Sequence, residues 1–256
     1  MKSRLADPVH YELIVDDDHV NLNTLLGKTF NFVFSGEIYC IQCGRKTTKS
    51  FQQGYCFPCY RELLNNQLCV IHPERCLFQG ECPKDHWVTE GHGEPHIVYL
   101  ANSSGLKVGV TRETQIPTRW IDQGAIQALP IIKVANRYQA GLLEVELKNY
   151  VNDKTNWRAM LKNEVKKINL MNERDKLFKL IKNNASISWL KNEKPIDIQY
   201  PVLNYPTKVV SFDFDKQSLI AGKLLGIKGQ YLIFDTGVIN IRKFGGYKIK
   251  IEVVMD

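Results

Sequence analysis

The sequence predicts an α+β protein with zinc knuckle modules, a small three-stranded sheet with helices, and a β-barrel or sandwich of C-terminal strands that N-terminal strands can join. Three observations predict it. Two Cys-x2-Cys pairs stand early in the chain, a strand, turn, strand and helix pattern follows at residues 96–150, and short β-branched runs separated by glycines fill the end. The organisation expected is N-terminal strands at 1–38, a zinc-binding region at 39–95, an α/β domain with a helical extension at 96–190, and a β domain at 195–256.

At 256 residues with 44% hydrophobic and 24% charged side chains, the chain can bury a core and is not expected to be disordered. No apolar run approaches the ~20 residues of a membrane span, and the first residues lead into no apolar block. The expectation is a cytoplasmic protein with no membrane partner. The formal charge is +7, and from Lys107 to Lys167 eleven basic residues face six acidic ones, so +5 of that excess sits on one segment. Such a segment suits an anionic backbone as ligand, although a solvated helix face has the same composition.

Tyr11, Leu13 and Val15 alternate, as do Phe30, Phe32 and Phe34, which predicts strands with one buried face. The acidic Asp16-Asp-Asp18 between them reads as a turn, because three adjacent strand-end residues cannot all face one ion. Cys40-Ile-Gln-Cys43 and Cys56-Phe-Pro-Cys59 can place four thiolates tetrahedrally on Zn²⁺. Four thiolates leave no open position, so this zinc is structural. Gly44 supplies the unhindered backbone that a knuckle needs. Arg45, Lys46, Lys49 and Arg61 flank the pairs as candidate phosphate contacts or plain surface.

A short helix is expected at 60–68. Cys69, Cys76 and Cys82 then recur in a Pro- and Gly-rich segment that has little periodicity and needs a fastener. A second zinc held by Cys69, Cys76, Cys82 and His92, in preference to His86 or His72, would supply it, against the alternative of buried free thiols. His96 reads as a core histidine. Strands follow at 97–101 and 106–111 around the turn formers Asn102-Ser-Ser-Gly105. A helix near Pro117-Thr118 carries Arg119, and Ala128–Ala135 is a third strand. A helix over 139–151 places Ala140, Leu143 and Leu147 on one face with Glu144 beside it. A second helical region, reaching to about residue 182, presents Trp157, Leu161, Ile168, Met171, Leu177 and Ile181 as core.

Beyond Pro195, runs at 209–212, 218–221, 230–235, 238–242 and 247–252 are separated by glycine turns and read as strands. If the N-terminal strands pair with these, the intervening parts form an insertion between the two halves of one barrel.

The unit Ile97-Val98-Tyr99, Lys107-Val108-Gly109, Pro117-Thr-Arg-Trp-Ile-Asp-Gln-Gly124 and Ala140-Gly-Leu-Leu-Glu144 resembles the GIY-YIG nuclease superfamily over about residues 96–150. In this resemblance Ile97 stands for a glycine, Lys107 for a tyrosine and Gln123 for a frequent histidine. The resemblance implies that Tyr99 takes a proton from water, its pKa lowered by cations such as Lys107. It implies that Arg119 braces the phosphorus and that Glu144 holds a catalytic Mg²⁺ or Mn²⁺. Lys107 would also bind phosphate, with Gly109 and Arg112 beside it. Over nearly its whole length, the chain is similar to a prokaryotic zinc-containing family of unknown function, on Cys40-x2-Cys43-Gly44-Arg45-Lys46, Tyr99–Arg112, Pro117–Ala125 and Gly229–Asn240.

Two functions are expected from these residues. One is metal-dependent hydrolysis of DNA or RNA phosphodiesters by Tyr99, Lys107, Arg119 and Glu144. The other is a non-catalytic zinc-containing module that binds RNA or a ribonucleoprotein, with Trp120, Tyr138 and Trp157 as stacking candidates beside their core role.

Overall fold

The structure is a computed structural model and describes residues 1–15, 17–65, 72–76, 91–151, 155–181 and 187–254. In chain order the first strands are β1 (Lys2–Arg4), β2 (His10–Val15), β3 (Asp18–Asn21), β4 (Thr29–Tyr39) and β5 (Lys46–Thr47), followed by helix α1 (Phe57–Asn65). Next come β6 (His96–Asn102), β7 (Leu106–Arg112), α2 (Thr118–Asp122), β8 (Gln127–Val134), α3 (Arg137–Lys148), α4 (Trp157–Leu161) and α5 (Leu170–Leu180). The chain ends with β9 (Ser188–Trp189), β10 (Ile196–Asp197), β11 (Leu219–Lys228), β12 (Tyr231–Phe234), β13 (Val238–Asn240) and β14 (Tyr247–Val254). It divides into two compact units. One holds Met1–Leu63, Leu161–Asn163 and Gln199–Asp256, and the other holds Leu64–Met160 and Glu164–Ile198.

In the first unit, β1, β2 and β3 form a small antiparallel sheet, and a curled half-barrel runs in the order β13-β12-β11-β4-β14. The N-terminal β4 therefore lies between two C-terminal strands, paired with β11 from Thr29 to Val33 and with β14 from Thr29 to Ile38. Aromatic side chains explain why this pairing holds. Phe30 and Phe32 are buried, Phe32 meets Phe234 edge-on at 5.8 Å, and Phe34 packs at 5.0 Å on Tyr247. Each buried phenyl ring contributes roughly 1.5–3 kcal/mol. The run at 209–212, expected as a strand, makes only an isolated bridge from Ser211 to Val238.

In the second unit, β6 is central in a sheet of order β10-β8-β6-β7, with β9 also on β8, and all seven of its residues are buried. Val98 and Leu100 join a core with Ala140, Leu143 and Leu147 of α3 and Leu170 and Leu177 of α5. On the opposite face Tyr99 meets Trp120 of α2, ring centroids 6.0 Å apart. Asn136 caps α3 by accepting the Gln139 N–H at 3.0 Å. The helical region expected as one piece is two helices, α4 and α5. The second starts afresh where Asn169 accepts the Asn172 N–H at 3.1 Å.

Lys228, at the end of β11 between Gly226 and Gly229, has its side chain fully buried in the first unit. Its Nζ donates to Asn163 Oδ1 at 2.8 Å and lies over the rings of Tyr200 and Tyr205 at 5.4 and 5.2 Å. Burial lowers its pKa to about 8. Below pH 8 both folded and unfolded chains carry the proton, so the cost of burying the charge, on the order of 3 kcal/mol, is present in full. Between about pH 8 and the unfolded value near 10.5, the unfolded chain holds more protons and folding gains stability as pH rises. Chemical denaturation of the natural chain and Lys228→Met across this window should show the natural chain gaining stability relative to the variant. A constant difference would place the lysine in water.

Candidate functional site

Four cysteine sulfurs of the first unit converge. The Sγ atoms of Cys40, Cys43, Cys56 and Cys59 all lie within 4.8 Å of one another, and Cys43 and Cys56 are 3.7 Å apart. Tetrahedral Zn²⁺ with bonds of ~2.3 Å requires sulfurs roughly 3.8 Å apart, so the donor set fits zinc. All four are free thiols. They are presented by two tight turns, since the Gly44 N–H donates to Cys40 O at 2.9 Å with Gly44 at φ +70°, and the Phe51–Tyr55 pairing returns the chain to α1.

Burial alone would raise the Cys40 thiol, but the backbone N–H groups of Cys56, Cys43 and Gln42 directed at its sulfur bring it down to about 6. Cys59 moves the other way, pushed up first by burial and then by the neighbouring thiols. Arg45, beside Cys43, has its guanidinium pKa raised by that contact. Gly246 passes so close to the Tyr39 carbonyl that a β-carbon would overlap it, which ties the C-terminal half of this unit to the knuckle.

The second cluster lies in the second unit. Tyr99 pairs across the sheet with Gly109, and a β-carbon at Gly109 would stand 2.6 Å from the tyrosine hydroxyl. The ring thus crosses the neighbouring strand where that strand lacks a side chain. Its O–H donates to Gln123 Oε1 at 3.0 Å, Arg119 reaches the same hydroxyl, and Glu144 of α3 is close enough to act on it electrostatically. Tyr99, Arg119 and Glu144 are thereby brought together, with Gln123 as a fourth member. The Glu144 carboxylate is 13% exposed and stands 3.7 Å from Lys148 Nζ, one helical turn on.

The expected lowering of Tyr99 is reversed. Complete burial pushes its hydroxyl above the usual tyrosine range, and Arg119 and Gln123 oppose this only in part. Lys107 shares the Tyr99 face of the sheet by register, but is itself buried, with its Nζ donating to Thr155 Oγ1 at 3.3 Å. No local sequence signal announces Thr155, which stands 48 residues away. Gly109 serves as the bed of the tyrosine ring. Arg112 lies against Gly91 and beside His92 and His96. Trp120 is wholly buried and offers no face to a base, and its indole N–H has no hydrogen-bond partner among the described residues.

Of the expected second zinc ligands, Cys69 and Cys82 lie outside the described residues, as does His86. Cys76 and His92 meet, with Sγ and Nδ1 3.5 Å apart and both residues buried. Burial first, then Arg137, His96 and Arg112, lower His92 to about 4 and keep it neutral.

A family model described as a protein of unknown function (DUF2797) matches residues 27–249. No curated protein and no solved structure matches the chain. No helix among the described residues is long and apolar enough to cross a membrane.

The four-thiolate centre generates a direct expectation. Cys43→Ser together with Cys59→Ser should remove about one zinc per chain and lower the unfolding midpoint of the first unit, because metal binding there is folding energy. Unchanged zinc content by elemental analysis would rule the centre out.

Proposed function

The chain belongs to the DUF2797 family, and we propose that it processes nucleic acid by hydrolysing phosphodiesters at a GIY-YIG-like site of Tyr99, Arg119, Gln123 and Glu144. The observation that carries this reading is their convergence. A tyrosine on β6, an arginine and a glutamine one turn apart at α2, and a glutamate on α3 meet around one hydroxyl, although 45 residues separate Tyr99 from Glu144.

In this reading water attacks phosphorus, the bond to the leaving oxygen breaks, and the departing alkoxide takes up a proton. Arg119, the exposed cation of the cluster, neutralises charge on the non-bridging oxygens. A part-exposed single carboxylate fits the way Mg²⁺ is commonly held, by one or two carboxylates with water and phosphate. Bound there by Glu144, Mg²⁺ or Mn²⁺ would supply Lewis acidity to the phosphate. Tyr99, protonated and enclosed, positions Arg119 through its hydroxyl instead of acting as a free tyrosinate base.

That same enclosure favours the second reading, a non-catalytic zinc-containing module that binds RNA or a ribonucleoprotein, because a buried, protonated hydroxyl touches no water in line with a phosphate. The two readings part in one experiment. A panel of duplex, branched and single-stranded DNA and structured RNA is incubated with Mg²⁺ or Mn²⁺ and the natural chain, Arg119→Ala, Glu144→Ala or Tyr99→Phe. The nuclease reading expects metal-dependent cutting reduced about 10²–10³-fold by Arg119→Ala, comparable to loss of one charge-stabilising donor, and abolished by Glu144→Ala. No cutting, with binding that weakens steeply as salt rises, would replace it with the binding module.

A further inference from the structure

Strand β14 lies at one edge of the half-barrel and, among the described residues, pairs on one side only, with β4. The register settles where its backbone groups point. The Phe34 N–H donates to Ser218 O at 2.7 Å, and just before β4 the Lys28 carbonyl accepts the Leu224 N–H at 2.9 Å. Even-numbered residues along β4 therefore turn their backbones to β11, and odd-numbered ones turn theirs to β14. Val33 and Asn31 face Lys250 and Glu252, so these two residues of β14 make their backbone bonds inside the sheet. The Lys248 carbonyl turns the same way and accepts from Ser35 Oγ at 3.0 Å. The N–H and C=O groups of Ile249, Ile251 and Val253 are left on the open edge. Their side chains stand beside Phe34, Phe32 and Phe30 and carry the aromatic face of the sheet to its border, where Val253 is 39% exposed. Lys250 and Glu252 lie exposed on the other face, their charged groups 2.8 Å apart.

We propose that β14 pairs antiparallel with β14 of a second copy of this chain, centred on Ile251, so that two half-barrels share one continuous sheet. Hydrogen bonding narrows the choice first. Only a register that sets odd-numbered residues against odd-numbered ones lets the open-edge groups bond one another. In the register centred on Ile251, Ile249 faces Val253 of the second copy and Ile251 faces its own equivalent, which joins the two apolar stripes. Charge then separates this register from its neighbours. Lys250 stands opposite Glu252 of the second copy and Glu252 opposite Lys250, so the four charges alternate in sign around the two-fold axis. One step toward the start of the chain sets Lys250 against Lys250, and one step toward the end sets Glu252 against Glu252, both of them unfavourable. An uncharged apolar edge would accept any strand, whereas this pattern selects its own copy. The contact is isologous and closes at two chains. The inference stands apart from the phosphodiesterase reading, because it is tested by molecular mass and not by cutting.

Sedimentation equilibrium of the full natural chain at micromolar concentrations should show a dimer. Lys250→Glu and Glu252→Lys each set like charges opposite one another at both symmetry-related places, and each should weaken association roughly ten-fold or more. Both side chains are exposed, so circular dichroism of the variants should match that of the natural chain. Mixing the two variants is the decisive step. One then carries only acids at the two positions and the other only bases, so the mixture should form a mixed dimer at least as tight as the natural one. Lys250→Glu combined with Glu252→Lys in one chain should recover self-association. Ile251→Pro, which removes an N–H that no β4 bond uses, should leave monomers. A natural chain that stays monomeric throughout would overturn the proposal. A dimer that neither single reversal weakens would overturn it too and place the interface elsewhere, as would weakened variants that mixing does not restore.

Discussion

Strand β6 is buried on both faces, and much of the second unit follows from the need to satisfy it. A strand covered on one face by α3 and α5 and on the other by the α2 region has no water for its polar side chains. Each of its three polar side chains makes one bond to a neighbour, while His96 Nε2 and Asn102 Oδ1 have no hydrogen-bond partner among the described residues. His96 Nδ1 pairs with the Glu94 carbonyl, Tyr99 donates to Gln123, and Asn102 Nδ2 donates to Lys166 O at 2.7 Å. The Tyr99 and Asn102 bonds tie other segments to the strand, so two polar residues that burial makes costly help to position α2 and the approach to α5. The candidate site is one of these two ties. Arg119 and Gln123 face Tyr99 because its hydroxyl, enclosed in the sheet, needs them.

The first unit solves a different shortage. Around the four cysteines the fully buried material is the thiols themselves with Tyr55 packed on them, and a small aromatic group of Phe51, Phe57 and Tyr60 joins the loop to the start of α1. The thiolates take the place of a core. The convergence of the four sulfurs, with amides directed at Cys40, suits a cation that compensates their charge. Elsewhere in the same unit, aromatic pairing of β4 with β12 and β14 residues supplies ordinary packing, and Gly245-Gly246 lets the two kinds of construction approach.

Periodicity made the local elements legible. The hairpin, the third strand and the α3 helix fall within two or three residues of their expected places, because alternation and helical spacing are properties of short windows. The joining of β4 to C-terminal strands was also open to reading, from alternating aromatics at one end and unpaired β-branched runs at the other. What escaped was what depends on contacts across long separations. The break between α4 and α5 rests on the Asn169 cap against a continuous helical pattern. Lys228 is buried because Tyr200, Tyr205 and Asn163 happen to arrive there. In the site, residue types and order pointed to Tyr99, Arg119 and Glu144, but nothing in a linear pattern reports dielectric, and the direction of the tyrosine's shift was read the wrong way.

That reversal bears on mechanism. The features that bring Tyr99 to Arg119 and Glu144, its place on a strand without a solvent face and the glycine beneath its ring, are those that deny its hydroxyl the water a base requires. Placement and activation therefore pull against each other at this residue. Arg119 and Glu144 escape the conflict because each hangs on a helix at the border of the core, the arginine exposed and the carboxylate part-exposed. Any chemistry at this cluster has to be carried by those two side chains, with Tyr99 and Gln123 setting their direction.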